Sequence, residues 1–583
     1  MKKTILYALL TLTLLCLGTV LMTGCSDDEI KQPISVPGGD DSTGDRLDDS
    51  KFNIYYKGQY ACAFVIPDSA TDIEQTVANK LKATLSSRTG NMQLELVKES
   101  QLSDQYTHLF LIGRTSFSES QAVYSSLGKR SASISVSGTR LVFAFDNVTS
   151  GDTVIKTLMG ALSEGGLSAN EIRLPLDFTA SYTALPNADE LPAYSSTQTL
   201  TDCGNGSNMI SSNTTLQAFL SYCLQLETMG FKKTVVREQS GNHFYSFEGE
   251  NDYVYAYFSA YNSQARVVSG PLESFAAQDY SNGEPQTVSP YIASIPQPDN
   301  GQGYVFRLPD GRFIVHDGGY VGDDRVYSTL KQLQPEGKIV IAAYFISHPH
   351  SDHYPAFIDF IKEHRKDADI VLERVMLNMG ANNSFIVKTD DRDENCSGDV
   401  AKIRSALSSY IPNVPVIQVH TGQLIDFGGA TVEVLYTMED ILPRPLPNVN
   451  DSSLAIRISM KGHKILVLAD TCYDSGPIMT EMWGDHLRSD ILQVAHHGQW
   501  PSEKELYHCI KAEVILIPAV REKLAEYLLI KEGTSTAKVF IEYAKDVYIS
   551  GDALEIINLP YTILNNKRAV LIALNPDLAD SIP

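Results

Sequence analysis

Three apolar runs in the second half of the chain end in the same way. "IVIAAYFISH" (339–348), "KILVLAD" (464–470) and "DILQVAHH" (490–497) each read as a strand buried on both faces, and each stops at a histidine or an aspartate. Before them, "RLPDGRFIVHDGG" (307–319) alternates across Asp310-Gly311, a good two-residue turn, and predicts a hairpin. The pattern differs nearer the start. "YACAFVIP" (60–67) and "THLFLIG" (107–113) predict strands. Between them "DIEQTVANKLKATLSSRTG" (72–90) predicts an amphipathic helix, because Val77, Leu81 and Leu85 recur at helical spacing and Gly90 suits its end. "ASISVSGTRLVFAF" (132–145) alternates as a hairpin around Gly138-Thr139, and "VIKTLMGALSEGG" (154–166) predicts a second helix. A third pattern follows. "TLQAFLSYCLQLETMGF" (215–231) predicts a helix, and "HFYSFEGENDYVYAYFSAYNSQARVVS" (243–269) an antiparallel meander rich in aromatics. Tyr253, Tyr255 and Tyr257 share one face of that meander, which is either an aromatic binding face or cross-strand packing.

These changes of period divide the chain. The expected units are a small α/β domain over 51–190, a small α+β domain over 195–290 and a larger α/β domain over 291–583. The start is of another kind. Lys2 and Lys3 precede an apolar run (5–22) and small residues before Cys25, which predicts a secretory signal. Residues 26–50 are rich in Pro, Gly, Ser and Asp without periodicity, so they read as a disordered linker.

The candidate chemistry sits where the first apolar run ends. "HPHSDH" (348–353) places three of the chain's 13 histidines and an aspartate in one bend. His348 and His350 point the same way on extended chain, and Asp352 and His353 follow in a turn before a helical pattern. Imidazole and carboxylate in this density predict metal ligands, since helix capping would use only one of them. The other two runs supply Asp470 and then His496 and His497, at the strand ends where sites gather in layered α/β folds.

In order and content, "HPHSDH", "LAD" (468–470) and "VAHHG" (494–498) resemble the metallo-β-lactamase superfamily of binuclear metal hydrolases. The likeness covers roughly residues 290–565. The branch fused to the DNA-uptake competence protein is the nearest in kind, through "NDSSL" (450–454) and "AHHG" (495–498). The resemblance implies an αββα sandwich. It implies that His348 and His350 bind a first metal, Asp352 and His353 a second, and that Asp470 bridges both. His496 is then the last ligand of the second metal, with His497 as its rival. The family's further histidine, in a "GHTPG" segment, has no counterpart. Asp451 in "NDSSL", His420 in "QVHTGQ" (418–423) or water is left to complete the first site. Cys472 stands two residues past Asp470 and reads as a buried thiol. The implied cofactors are two divalent ions, zinc by default for a histidine-rich site, with manganese or iron as alternatives. The implied chemistry is attack by metal-activated hydroxide on a phosphodiester, or on a carboxylic ester, lactone or amide, with Asp352 orienting or accepting the proton. The substrate is a small molecule or a polymer, and its pocket walls are expected from loops such as 380–400 and 440–452.

Two weaker likenesses complete the picture. Residues 51–190 resemble the non-catalytic α/β domain that precedes the barrel in hexosaminidases, through "VANKLKATLSSRTG" and "LFLIG". "LMTGC" (21–25) resembles a bacterial lipobox, which implies lipidation of Cys25 and membrane attachment through that lipid. "SDDE" (26–29) resembles signals that send lipoproteins to the outer surface. A formal net charge of −23 argues against nucleic acid as a general partner, because such binding is driven by Lys and Arg. There is no Cys-x-x-Cys among the eight cysteines; export permits disulfides, Cys203–Cys223 within one unit is the pair to examine, and the spread of the others predicts buried free thiols. The alternative to an enzyme is an inactive surface lipoprotein that binds a glycan or protein.

Overall fold

A computed structural model describes residues 50–576, apart from 105, 165–170, 184, 205, 380–395, 447, 500–501 and 530–534. The signal, the lipidation candidate Cys25, the linker and most of the 380–400 loop lie outside the described residues. The chain forms two compact units, 1–184 and 185–583.

In the first unit a six-stranded sheet runs in the order Leu96–Lys98, Ala63–Ile66, Leu109–Ile112, Arg140–Phe145, Ala132–Ser137, Thr179–Tyr182. The first four strands are parallel to their neighbours, and the 132–145 hairpin is antiparallel. The period of two decides its faces. Phe64, Phe110 and Phe143 turn toward the helices Asp72–Thr89 and Val148–Glu164, whereas Val65, Leu111 and Val142 turn toward Ser118–Ser126. The long helix starts where expected because Thr71 and Glu74 form a reciprocal capping box, and it stops at Gly90, which takes φ 69°.

The second unit has two parts. Residues 199–271 form an antiparallel six-stranded sheet in the order Thr199–Gly204, Ser207–Asn213, Gln264–Pro271, Asp252–Ser259, Asn242–Glu248, Lys232–Gln239. One face (Val254, Ala256, Phe258) packs on the helix Leu216–Thr228. The other face carries Tyr253, Tyr255 and Tyr257, and it is not open for binding: the three rings are 0–2 % exposed and join the core of the large domain. The Tyr253 hydroxyl lies 2.9 Å from His420 Nε2. Those of Tyr255 and Tyr257 donate to the Thr421 carbonyl and to Asp440 Oδ1. Packing, rather than recognition, therefore explains this aromatic row. Cys203 and Cys223, the pair singled out for a disulfide, are free thiols: Cys203 lies against one face of this sheet and Cys223, on the helix Leu216–Thr228, against the other.

The large domain is an αββα sandwich. One sheet runs Val416–Gln418, Val375–Leu377, Ile339–Ile346, Phe313–Asp317, Gly303–Arg307, Tyr291–Ser294, Ile556–Asn558, with Ile370–Leu372 beside the third strand. The other runs Leu424–Asp426, Ala430–Tyr436, Ala455–Met460, His463–Val467, Ile491–Gln493, Val514–Ile517, Asp546–Ile549. Ala343 and Phe345 meet Ile456, Ile465 and Val467 between the sheets. Ile341, Tyr344 and Ile346 face the helices Arg325–Leu333 and Pro355–His364 on one outer side. Leu466, Leu492 and Ile515 face Ser475–Trp483 and Lys504–Ile510 on the other. Burying each such side chain contributes about 1.5–3 kcal/mol, which explains why runs this apolar become central strands. Parallel pairing sets the direction of both sheets: Phe313–Asp317 with Ile339–Ile346, and His463–Val467 with Ile491–Gln493. The carboxyl ends of these strands therefore share one edge of the sandwich.

Candidate metal centre

At that edge four loops converge. After Ile339–Ile346 the chain turns through "SHPHSDH": the His353 amide donates to the His350 carbonyl, and the amides of Gly318 and Gly319 donate to the His353 carbonyl. Pro355 then opens the helix Pro355–His364, a position where its missing N–H costs nothing. After His463–Val467, Gln493 Oε1 accepts from the amides of Leu468 and Ala469 at 2.8 Å each, which holds Ala469 at φ 50° and aims Asp470 into the bend. After Ile491–Gln493, His496 and His497 both adopt left-handed backbone, at φ 48° and 57°.

The side chains form two groups that share Asp470. One ligand atom from each of Asp352, His353, Asp470 and His497 lies within 4.8 Å of the others, and the same holds for His348, His350 and Asp470. His353 Nε2 and His497 Nε2 are each 3.2 Å from Asp470 Oδ2. His497 Nε2 is also 3.2 Å from Asp352 Oδ2, and His348 Nε2 is 3.1 Å from His350 Nδ1. Asp470 Oδ1 and the Nε2 atoms of His353 and His497 are buried without a well-aligned hydrogen bond, despite the short separations around Oδ2. Stranding such atoms is costly, and a shared cation would satisfy them together. The donor set, imidazoles around a central carboxylate, fits two divalent ions.

Outer partners fix three of the rings. Asp317 is buried at the end of its strand, at φ 53°, and its carboxylate accepts from the Ser347 amide (2.8 Å), the Ser347 hydroxyl (2.7 Å) and His353 Nδ1 (2.9 Å). Ser347 Oγ in turn accepts from His348 Nδ1 at 3.0 Å. Asp317 thus orients one imidazole of each group, leaving both Nε2 atoms to face Asp470. His497 Nδ1 donates to the Pro518 carbonyl at 2.7 Å, with the same consequence.

Electrostatics follow from this packing. Burial pulls His353 and His497 toward neutrality, but Asp470 and Asp352 outweigh it: His353 is raised well above its ordinary value and His497 to about 10. Burial would raise Asp470, yet His353 and His497 hold it well below the usual carboxylate range. His348 is lowered, first by burial and then by His353 and His350.

Other residues singled out in the sequence fall elsewhere. His496 Nε2 is 3.9 Å from Asp470 Oδ2 and falls just outside both groups, so His497 rather than His496 sits in the second. Asp451 is in neither group. Its Oδ1 accepts from the amides of Asp474 and Ser475 and from the Ser475 hydroxyl, so it anchors the start of the helix Ser475–Trp483. The rest of "NDSSL" is structural too: the Leu454 amide donates to the Ser347 carbonyl, and the Asp470 amide to Ser453 Oγ. His420 is fully buried, with Nδ1 2.9 Å from Glu439, and serves the contact with the tyrosine sheet. Cys472 is buried, and burial pushes its thiol pKa up. Asp317 and Ser347 were not singled out in the sequence, although "VHD" (315–317) ends an apolar strand just as "LAD" does.

No protein-family model and no curated protein matches the chain. Similar solved structures include the metallo-β-lactamase fold protein YhfI from Bacillus subtilis, 16% identical with a TM-score of 0.29, covering 46% of this chain and 99% of that one. They also include the CmlA β-hydroxylase (14%, TM-score 0.27, 51% of each chain). A third is a metallo-β-lactamase from Cronobacter sakazakii (14%, TM-score 0.21, 36% of this chain and 77% of that one). None of these scores reaches 0.5, so the chemistry of the site rests on this chain's own residues.

Proposed function

We propose that the chain is an exported, lipid-anchored, metal-dependent hydrolase with a two-cation centre, acting on a phosphodiester or, failing that, on a carboxylic ester, lactone or amide. One observation carries this reading: two groups of imidazole and carboxylate ligands meet at the single carboxylate of Asp470. The residues that would hold the ions are His348 and His350 on one side and Asp352, His353 and His497 on the other, with Asp470 between them. Zinc is the leading candidate for both. Bound divalent cations supply Lewis acidity and bring the pKa of a bound water toward about 7.

The protein's own part is positional. Asp317, Ser347 and the Pro518 carbonyl keep three rings in the ligating tautomer. Asp352 and His350 are the members of the two groups that keep some solvent access, so a substrate approaches from their side. Asp352 Oδ2 faces the centre beside His497 and is placed to orient a nucleophile and take its proton. Buried Asp470 and the apolar strands behind it keep bulk water out of the rear of the site. Export and attachment through Cys25 are proposed from the sequence of the first 29 residues. The acidic surface favours a small phosphodiester over a polyanion.

Elemental analysis of the purified chain, beside the double variant His350→Ala/Asp470→Ala, tests the reading. About two equivalents of metal in the unmodified chain, lost in the variant, are expected, together with metal-dependent turnover of a chromogenic phosphodiester or lactone. Absence of metal after reconstitution with zinc or manganese would leave a binding lipoprotein.

A further inference from the structure

The two ligand groups are unequal. Four side chains surround the second position, but His348, His350 and Asp470 give the first only three. A four-coordinate or larger shell needs a further donor, either a water or another side chain. Neither side chain named from the sequence supplies it: Asp451 lies in neither ligand group, and His420 is held by Glu439 and Tyr253.

Asp470 Oδ2 identifies the remaining donor. Four imidazole nitrogens surround this one atom in two pairs: His353 and His497 Nε2 at 3.2 Å, His348 and His496 Nε2 at 3.9 Å. Two donors on one tetrahedral zinc, each about 2.0–2.2 Å from the metal, lie roughly 3.3–3.6 Å apart. The inner pair is close to that spacing, and the outer pair is about 0.3–0.6 Å wider. Asn450 Nδ2 lies 3.5 Å from His496 Nε2, and a cation at that nitrogen would displace it. The backbone supplies an independent observation. His496 and His497 are consecutive left-handed residues, a conformation that strains non-glycine chain and concentrates at functional sites. A single ligand after Ile491–Gln493 would need no such pair. Two in succession bring both imidazoles to the same carboxylate oxygen.

We infer that His496 is the missing donor of the first cation position, so that "HH" (496–497) divides between the two ions: His496 beside His348 and His350, His497 beside Asp352 and His353. This rests on the two-cation reading and assigns a ligand within it.

Metal binding tests it apart from turnover. The full-length chain is stripped with chelator and titrated with Co2+, following d–d absorption and stoichiometry, as unmodified protein, His496→Ala, His496→Gln, and the pairs His348→Ala/His496→Ala and His353→Ala/His496→Ala. The expected result is two equivalents in the unmodified chain. In both His496 variants one binding step should weaken by more than roughly 100-fold, beyond the loss caused by removing an outer partner. Removing His348 as well should add little, because both serve one ion, whereas removing His353 should abolish the remaining step. Thermal melting before titration identifies a variant that fails to fold, and the Gln variant then carries the test. Two equivalents at unchanged affinity in folded His496→Ala would overturn the assignment and leave the hydrolase reading standing. Additive losses with His348 and none with His353 would place His496 on the other ion and also overturn it. No metal in the unmodified chain would overturn both readings.

Discussion

Asp317→Asn isolates the outer support of the centre. Asparagine matches aspartate in shape and tolerates the left-handed backbone that Asp317 adopts at φ 53°, so the strand end should survive. The charge and the acceptor pattern change. Asp317 accepts four bonds, from the Ser347 amide, the Ser347 hydroxyl, His353 Nδ1 and Gln302 Nε2. With the amide oxygen on the Ser347 amide, the NH2 group faces His353 Nδ1 and Ser347 Oγ as a donor. His353 then favours the tautomer with its proton on Nε2, the nitrogen that must bind the ion. His348 is disturbed in the same way through Ser347, 3.0 Å from its Nδ1. Losing an outer partner of a metal-bound histidine typically costs 10–100-fold in affinity. One such histidine stands in each ligand group, so a loss of roughly 10–100-fold, or about 1.4–2.7 kcal/mol, is expected at both binding steps. Competition with a chromogenic chelator measures the two constants. Affinities within about threefold of the unmodified protein at both steps would show that Asp317 does not set the tautomers.

The pH response has a definite sign. In chelator-treated protein His497 is raised from 6.5 to about 10, because Asp470 and Asp352 outweigh burial. Its contribution to stability is therefore complete below about pH 6.5 and lost as pH rises through 10, while metal affinity rises over the same window as the proton leaves. Urea melts of the stripped protein, and proton release on zinc addition in buffers of different ionisation enthalpy, should show both trends; pH-independent affinity between 6.5 and 10 would contradict them. Asp440→Ala removes the acceptor of the Tyr257 and Thr421 hydroxyls, both buried where the tyrosine sheet meets the sandwich. Each stranded donor costs about 1–3 kcal/mol, so a lower urea midpoint with unchanged metal stoichiometry is expected, and an unchanged midpoint would refute the role given to this contact.

Much of this architecture was legible in the chain. Periodicity gave the 72–89 helix with its Gly90 stop, the 132–145 hairpin and the apolar strands at 339–346, 463–467 and 491–493, because local propensity and burial point the same way at those positions. The ligand types at the strand ends were legible as well, since imidazole and carboxylate placed after buried strands have few structural uses. The resemblance implied the αββα layering, which the sheet orders show.

What the sequence could not decide depends on direction and on partners far along the chain. His496 and His497 are identical side chains, and only two left-handed φ angles and the carbonyl of Pro518 determine which ring meets Asp352. Asp451 and His420 carry the right donor atoms, but Asp451 is turned to the helix start at 474–475, outside both groups, and a glutamate and tyrosine from distant segments hold His420. The tyrosine row had two readings of equal periodicity. It became a buried contact because the sandwich presents His420, Thr421 and Asp440 opposite its hydroxyls. Residue type and spacing thus picked out the candidate ligands. Tertiary packing decided which of them reach Asp470, because a hydrogen bond or a ligand position is settled by the nearest competing partner, and that partner is rarely a neighbour in sequence.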